Sequence, residues 1–353
     1  MKLRALSGLL GLCLLLSGCS SMLKRSYEAV TAHVDKPVTA EDSSVLRVEN
    51  YQELVSAVLY LVSQGQEEGT IQLYDYAADV ESDLTAACLE VATEDPLGAY
   101  AVDYIKHEYT RVVSYYQASI DIRYRRTADQ IRSIVNVTGS SAIRSELQQA
   151  LTNFSGEVVL RVAYFSEDED SIARLIRQAY YDTPVSALGM PEAGITLYPD
   201  QGSQRVVEIT LTYPVSTDEL WRRSEQLAAQ AGVISGQLRG LDARAVVLRA
   251  ASDLRGYAAY SAEGGNTAYD ALVDGAADAE GLALACALLC QQAGTACAVV
   301  EGTYLGQSWF WNAVQPDAGE PLYLDAALGD GLLHTAQELA AAGYQWEDAP
   351  AAG

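Results

Sequence analysis

Two hydrophobic rhythms, one helical and one extended, run in the same order twice between residues 48 and 235. That double pass constrains the fold more than any single motif. Leu54, Val55, Val58, Leu59 and Val62 recur on one helix face, whereas Val158, Leu160 and Val162 alternate like a strand with one buried side. The first pass reads as a helix (50–64), a strand (70–76), a helix (79–91) and a hairpin over 99–125. The second reads as a helix (141–151), a strand (157–164), a helix (167–181) and a hairpin over 194–213, with turn chemistry at Asp200-Gln201-Gly202-Ser203. Pro96 to Pro184 and Leu84 to Ile172 span the same interval, and Tyr124 to Tyr213 differs from it by one position. The strands are rich in Val, Ile, Tyr and Thr, which suit a half-buried pleat. The expected class is α+β: two tandem α/β-sandwich repeats, over 48–138 and 139–235, with helices on one face of a mostly antiparallel sheet.

The N-terminus speaks to location. Lys2 and Arg4 precede the apolar run from Leu6 to Leu16, which is too short to span a bilayer. Leu16-Ser17-Gly18-Cys19 follows and resembles the bacterial lipobox, so residues 1–19 read as a lipoprotein signal with Cys19 as the lipidated residue. Two acyl chains, at about 0.8 kcal/mol per buried CH2, suffice for stable anchoring. Residues 20–47 are polar and lack a clear apolar period, and are expected to be a tether, with Asp42 or Ser43 capping the next helix. The chain is thus expected outside the cytoplasm, with the membrane as a partner through its N-terminal lipid. A net charge of −24 argues against nucleic acid as a partner.

Cysteine usage adds little chemistry at this level. Cys286 and Cys290 lie four apart on an apolar helix and read as small core residues, and no Cys-x-x-Cys pair marks a zinc site. The sequence therefore predicts no metal and no cofactor. Glu167-Asp168-Glu169-Asp170 lacks the ligand alternation of a calcium loop and reads as an acidic helix N-terminus. Arg123, Arg125 and Arg126 are expected to pair with nearby acids.

Gly232, Gly236 and Gly240 suggest a break, after which four pieces follow in order. They are Thr267-Ala268-Tyr269-Asp270-Ala271-Leu272; Asp274 to Gly281 opening the apolar helix 282–292; Gly294 to Gly302; and Trp311-Asn312-Ala313-Val314 with Tyr323-Leu324-Asp325. Together they resemble a transglutaminase-like (papain-like) cysteine-enzyme core over 241–348, helices packed on an antiparallel sheet. The resemblance implies a cysteine at the helix N-terminus, a histidine on a following strand and an orienting aspartate. Those positions hold Ala279, Trp309 and Asp325. A methyl group cannot attack a carbonyl, and an indole N–H donates but cannot accept a proton.

The sequence reading is therefore a non-catalytic domain that binds envelope peptide, glycan or a protein partner. Trp309, Trp311, Glu280 and Asp325 are the candidate ligand contacts. Asp325 also has a simpler role open to it, as a carboxylate bound by a backbone N–H or the Trp309 indole. Two alternatives stand beside this one: a cysteine peptidase or transamidase with a non-standard nucleophile, and a structural spacer or assembly module.

Overall fold

The computed structural model describes residues 45–165, 168–315 and 320–347. The signal, Cys19, Asp42, Ser43 and Glu167 lie outside the described residues. Helices and strands are mixed throughout, as an α+β chain requires.

The first module runs β1 (Val45–Val48), α1 (Tyr51–Ser63), β2 (Glu68–Tyr74), α2 (Val80–Thr93), α3 (Pro96–Ala101), β3 (Val102–Val112) and β4 (Tyr115–Tyr124). Asn50 opens α1, its side chain accepting from the Glu53 N–H at 3.0 Å, and Leu54, Ala57, Val58, Leu61 and Val62 bury one stripe. The sheet order is β1-β2-β4-β3, with β1 parallel to β2 and the other pairs antiparallel. Two expectations are corrected here. Residues 45–47 belong to β1 rather than to the tether, and the residue capping the helix that follows is Asn50, not Asp42 or Ser43. A four-residue edge strand is too short to show a period, and its pairing with β2 is a contact between distant positions.

The second module adds α4 (Ala128–Arg132), β5 (Val135–Val137), α5 (Ser140–Thr152), β6 (Glu157–Val162), α6 (Glu169–Asp182), β7 (Glu192–Tyr198) and β8 (Arg205–Thr212). Its sheet order, β5-β6-β8-β7, repeats the first, including the parallel edge pair β5 and β6. Asp168 caps α6 by accepting from the Ser171 N–H at 2.7 Å.

The modules meet across the back of the second sheet. Val207, Ile209 and Leu211 join the core beneath α5 and α6. Val159 and Val206 join the core of the first module instead. Helix α3, every residue of it buried, wedges between the two against β7 and β8. Arg126 reaches across to the buried Glu208 at 2.6 Å, and Tyr198 Oη donates to the same carboxylate at 2.9 Å. Of the arginine cluster, Arg126 thus finds an acid, whereas Arg125 donates to the Val102 carbonyl.

The remainder runs α7 (Thr217–Ser235), α8 (Ala243–Tyr257), β9 (Ala259–Gly265), a π-helical turn (Asp270–Asp274), β10 (Ala276–Ala277) and α9 (Ala279–Gln292). It finishes with β11 (Cys297–Tyr304), β12 (Gln307–Val314), β13 (Leu322–Leu324), α10 (Ala336–Ala341) and β14 (Tyr344–Gln345). The expected break does not begin at Gly232, because α7 continues through that residue to Ser235. The sheet β13-β12-β11-β14 is antiparallel throughout. Helix α9 is apolar on all sides, as a central helix must be. It packs on β11 and β12 on one side and on α7 and α8 on the other. One continuous core spans the second module and the C-terminal elements, from Val137 to Ala326.

Candidate functional site

Asp278 caps the N-terminus of α9, accepting from the Gly281 N–H at 3.0 Å. Gly281 lets the first turn sit against the preceding loop: a Cβ there would lie 2.8 Å from the Thr267 carbonyl oxygen. Ala279 occupies the first helical position with 5% of its surface exposed. A methyl group there gains nothing from the helix dipole or the free N–H groups, which would otherwise favour an anion.

Strand β12 sends alternate side chains to opposite faces, as strand geometry requires. Phe310 and Asn312 face α9, the amide of Asn312 donating to the Ala283 carbonyl at 2.9 Å. Trp309 and Trp311 face the other way, into a cluster with Val300, Tyr304, Tyr323, Tyr344 and Trp346. Trp311 is fully buried and packs edge-on against Tyr344 and Trp346. Trp309 is half-buried between Tyr260 and Tyr304, ring centroids 5.6 and 5.9 Å away.

Asp325 closes this arrangement. Its Oδ2 accepts from Trp309 Nε1–H at 2.8 Å and from Tyr344 Oη–H at 2.7 Å. Its Oδ1 accepts from the backbone N–H groups of Ala327 at 2.7 Å and Leu328 at 2.9 Å. A carboxylate offers about four acceptor positions, and four donors fill them. The Tyr344 phenol is pushed well above its ordinary value by burial and then by its bond to Asp325, so it stays a donor. Of the four candidate ligand contacts, Trp311 is sealed in the core. Asp325, 4% exposed, is saturated by the protein's own donors. Trp309 and Glu280 keep exposed surface.

Glu280 sits one residue past Ala279 and faces the second module. It accepts from Tyr181 Oη–H at 3.0 Å and from Asn266 Nδ2–H at 3.3 Å. Burial pushes its carboxyl up to about 7, opposed by the Tyr181 hydrogen bond and reinforced by the charge of Asp278. Tyr181 in turn packs on Phe310, ring centroids 5.9 Å apart. Nothing in the local sequence links Tyr181 to Glu280, because the contact joins two different modules.

Beside this junction lies a groove of about 960 Å³ between α5, α6 and β11, lined among others by Arg144, Arg174, Arg177, Tyr181, Glu301 and Trp346. A second cavity of about 650 Å³ continues it along Ser141, Gln148, Gln291 and Ala298. Ala279, Trp309 and Asp325 line neither. Arg177 is paired with Glu301 at 2.7 Å and Arg144 with Asp182 at 2.6 Å, while Arg174 donates to Ser171 Oγ at 2.6 Å.

Among the described residues, the hydrogen bonds of the imidazoles go to Thr85 and Asp330 and not to a thiol. Cys88, Cys286, Cys290 and Cys297 are all buried. His107 contacts Thr85 Oγ1 at 3.2 Å and His334 contacts Asp330 at 3.1 Å. Cys286 and Cys290 are core residues, as their apolar helix suggested, but Cys297 from β11 joins them, a meeting that no local pattern foretold.

No family model matches the chain, and no curated protein matches it. A solved structure described as "Crystal structure of a TGase" is similar at 13% identity with a TM-score of 0.26, covering 48% of this chain and 50% of that one. The chain thus spans about half the length of that structure.

Proposed function

We propose that this chain is a membrane-anchored extracytoplasmic lipoprotein, lipidated at Cys19, whose C-terminal transglutaminase-like domain binds rather than catalyses. On this reading the two preceding modules are tandem repeats of one unit, which their identical strand order supports. The observation that carries the proposal is the filled acceptor set of Asp325, in which the Trp309 indole takes the place of an imidazole. An aspartate that orients a catalytic base must bond that base; here it bonds an indole that cannot take a proton. With Ala279 at the nucleophile position, the relay lacks both of its reactive members.

Binding then falls to the groove between the second module and the C-terminal sheet. Its size suits a small ligand, and Arg174 offers a guanidinium to a carboxylate while Trp346 and Tyr181 offer apolar faces. Glu280 lines neither cavity and accepts from Tyr181, which lines both. Envelope peptides and glycans carry both kinds of group. The test is calorimetric titration of the full chain with soluble muropeptides, alongside an amide-hydrolysis assay. Saturable binding that Arg174→Ala and Trp346→Ala each weaken at least about tenfold, the loss of roughly 1.4 kcal/mol, supports the reading. Turnover abolished by Cys286→Ala would overturn it in favour of a cysteine enzyme.

A further inference from the structure

Three thiols meet beneath the C-terminal sheet. Cys286 and Cys290 lie one turn apart on α9. Cys297 opens β11 after Gly294, whose φ of +82° lets the chain reverse and return to the same helix face. The three sulfur atoms all lie within 4.8 Å of one another, and each residue is buried. Asn312 meets the same helix from β12: it is 0% exposed, its Nδ2–H donates to the Ala283 carbonyl one turn before Cys286, and its Oδ1 has no partner in the protein. An unpaired carbonyl-type oxygen in the core is costly, so its presence here needs a reason.

We propose that Cys286, Cys290 and Cys297 form a structural site for one divalent d10 cation of the Zn²⁺ class. Zn–S bonds of about 2.3 Å in a tetrahedron put sulfur atoms about 3.8 Å apart, inside the observed limit. Thiolates select soft ions, while magnesium and calcium prefer all-oxygen shells. Charge distinguishes the divalent ion from monovalent copper. Three thiolates with a divalent ion leave one negative charge and with a monovalent ion two, so the divalent ion leaves less charge to bury. Binding releases the thiol protons to solvent. A site this deep fills while the chain folds. The proposal is independent of what the groove binds.

The full chain is refolded anaerobically from denaturant with Zn²⁺ and a phosphine reductant, then dialysed against EDTA and passed through gel filtration before metal analysis. We expect one ion retained per chain, a higher Tm than protein refolded without metal, and neither effect in Cys286→Ala/Cys290→Ala/Cys297→Ala. Should that triple variant misfold, Cys297→Ala is compared with the native chain after refolding with Co²⁺. Loss of the sulfur-to-cobalt charge-transfer band then serves as the supporting result. Loss of all zinc to EDTA, equal retention by the triple variant, or retention of Cu⁺ without Zn²⁺ would each overturn the assignment.

Discussion

Replacing Glu280 by Gln should make the protein more stable above neutral pH and nearly unchanged in acid. Folding moves this carboxyl into a partly dry junction between two modules, raising it from its ordinary 4.5 to about 7. The folded chain then holds the proton more tightly than the unfolded chain. Stability must therefore fall as pH rises from about 4.5 to about 7, and stay low above that. At about 1.4 kcal/mol per pKa unit the full rise is worth about 3 kcal/mol; partial exposure to solvent brings the expectation to about 2 kcal/mol. Glutamine keeps the shape and an oxygen for the Tyr181 hydroxyl but never ionises. Urea unfolding of both proteins at about pH 5 and about pH 8, on either side of the folded-state value, measures the difference directly. Asp95, a shifted carboxylate in the first module, acts in both proteins and cancels. If the advantage of Glu280→Gln fails to grow between the two pH values, the claim that burial disfavours the ionised Glu280 is refuted.

Two further outcomes follow from the hydrogen-bond geometry. Trp309→Phe removes one of four donors from the buried Asp325 carboxylate, so it should cost about 1.5–3 kcal/mol. A double-mutant cycle with Asp325→Asn should give a coupling of similar size, and zero coupling would show the indole to be packing alone. Arg126→Met leaves the buried Glu208 with the Tyr198 hydroxyl and the neighbouring Glu157 carboxyl, and no cation. It should cost about 3–5 kcal/mol in denaturant melts, and a loss below about 1 kcal/mol would mean that this pair does not hold the modules together.

Local periodicity fixed most of this molecule. The stripe of α1 is written within a short window, because a helix face is set by neighbours in sequence; the alternation of β6, read as one buried side, missed that Val159 is buried on the other side, against the first module. The four-residue β1 and three-residue β5 were not legible, since such short strands exist only through pairing with β2 and β6. Gly232 looked like a terminator, yet burial of Leu227, Ala231 and Ile234 in the shared core carries α7 past it. At the candidate site, the chemistry of Ala279 and Trp309 was fully stated by residue type: no fold can make a methyl group nucleophilic or an indole basic. The partners of those residues were another matter. Tyr181 under Glu280 and Cys297 beside Cys286 and Cys290 come from segments that a linear pattern cannot connect. The unpaired oxygen of Asn312 becomes visible only once the core has closed around it. Sequence determined what each side chain could do, and packing decided which of them met, because contact between distant segments depends on the shape of the whole core.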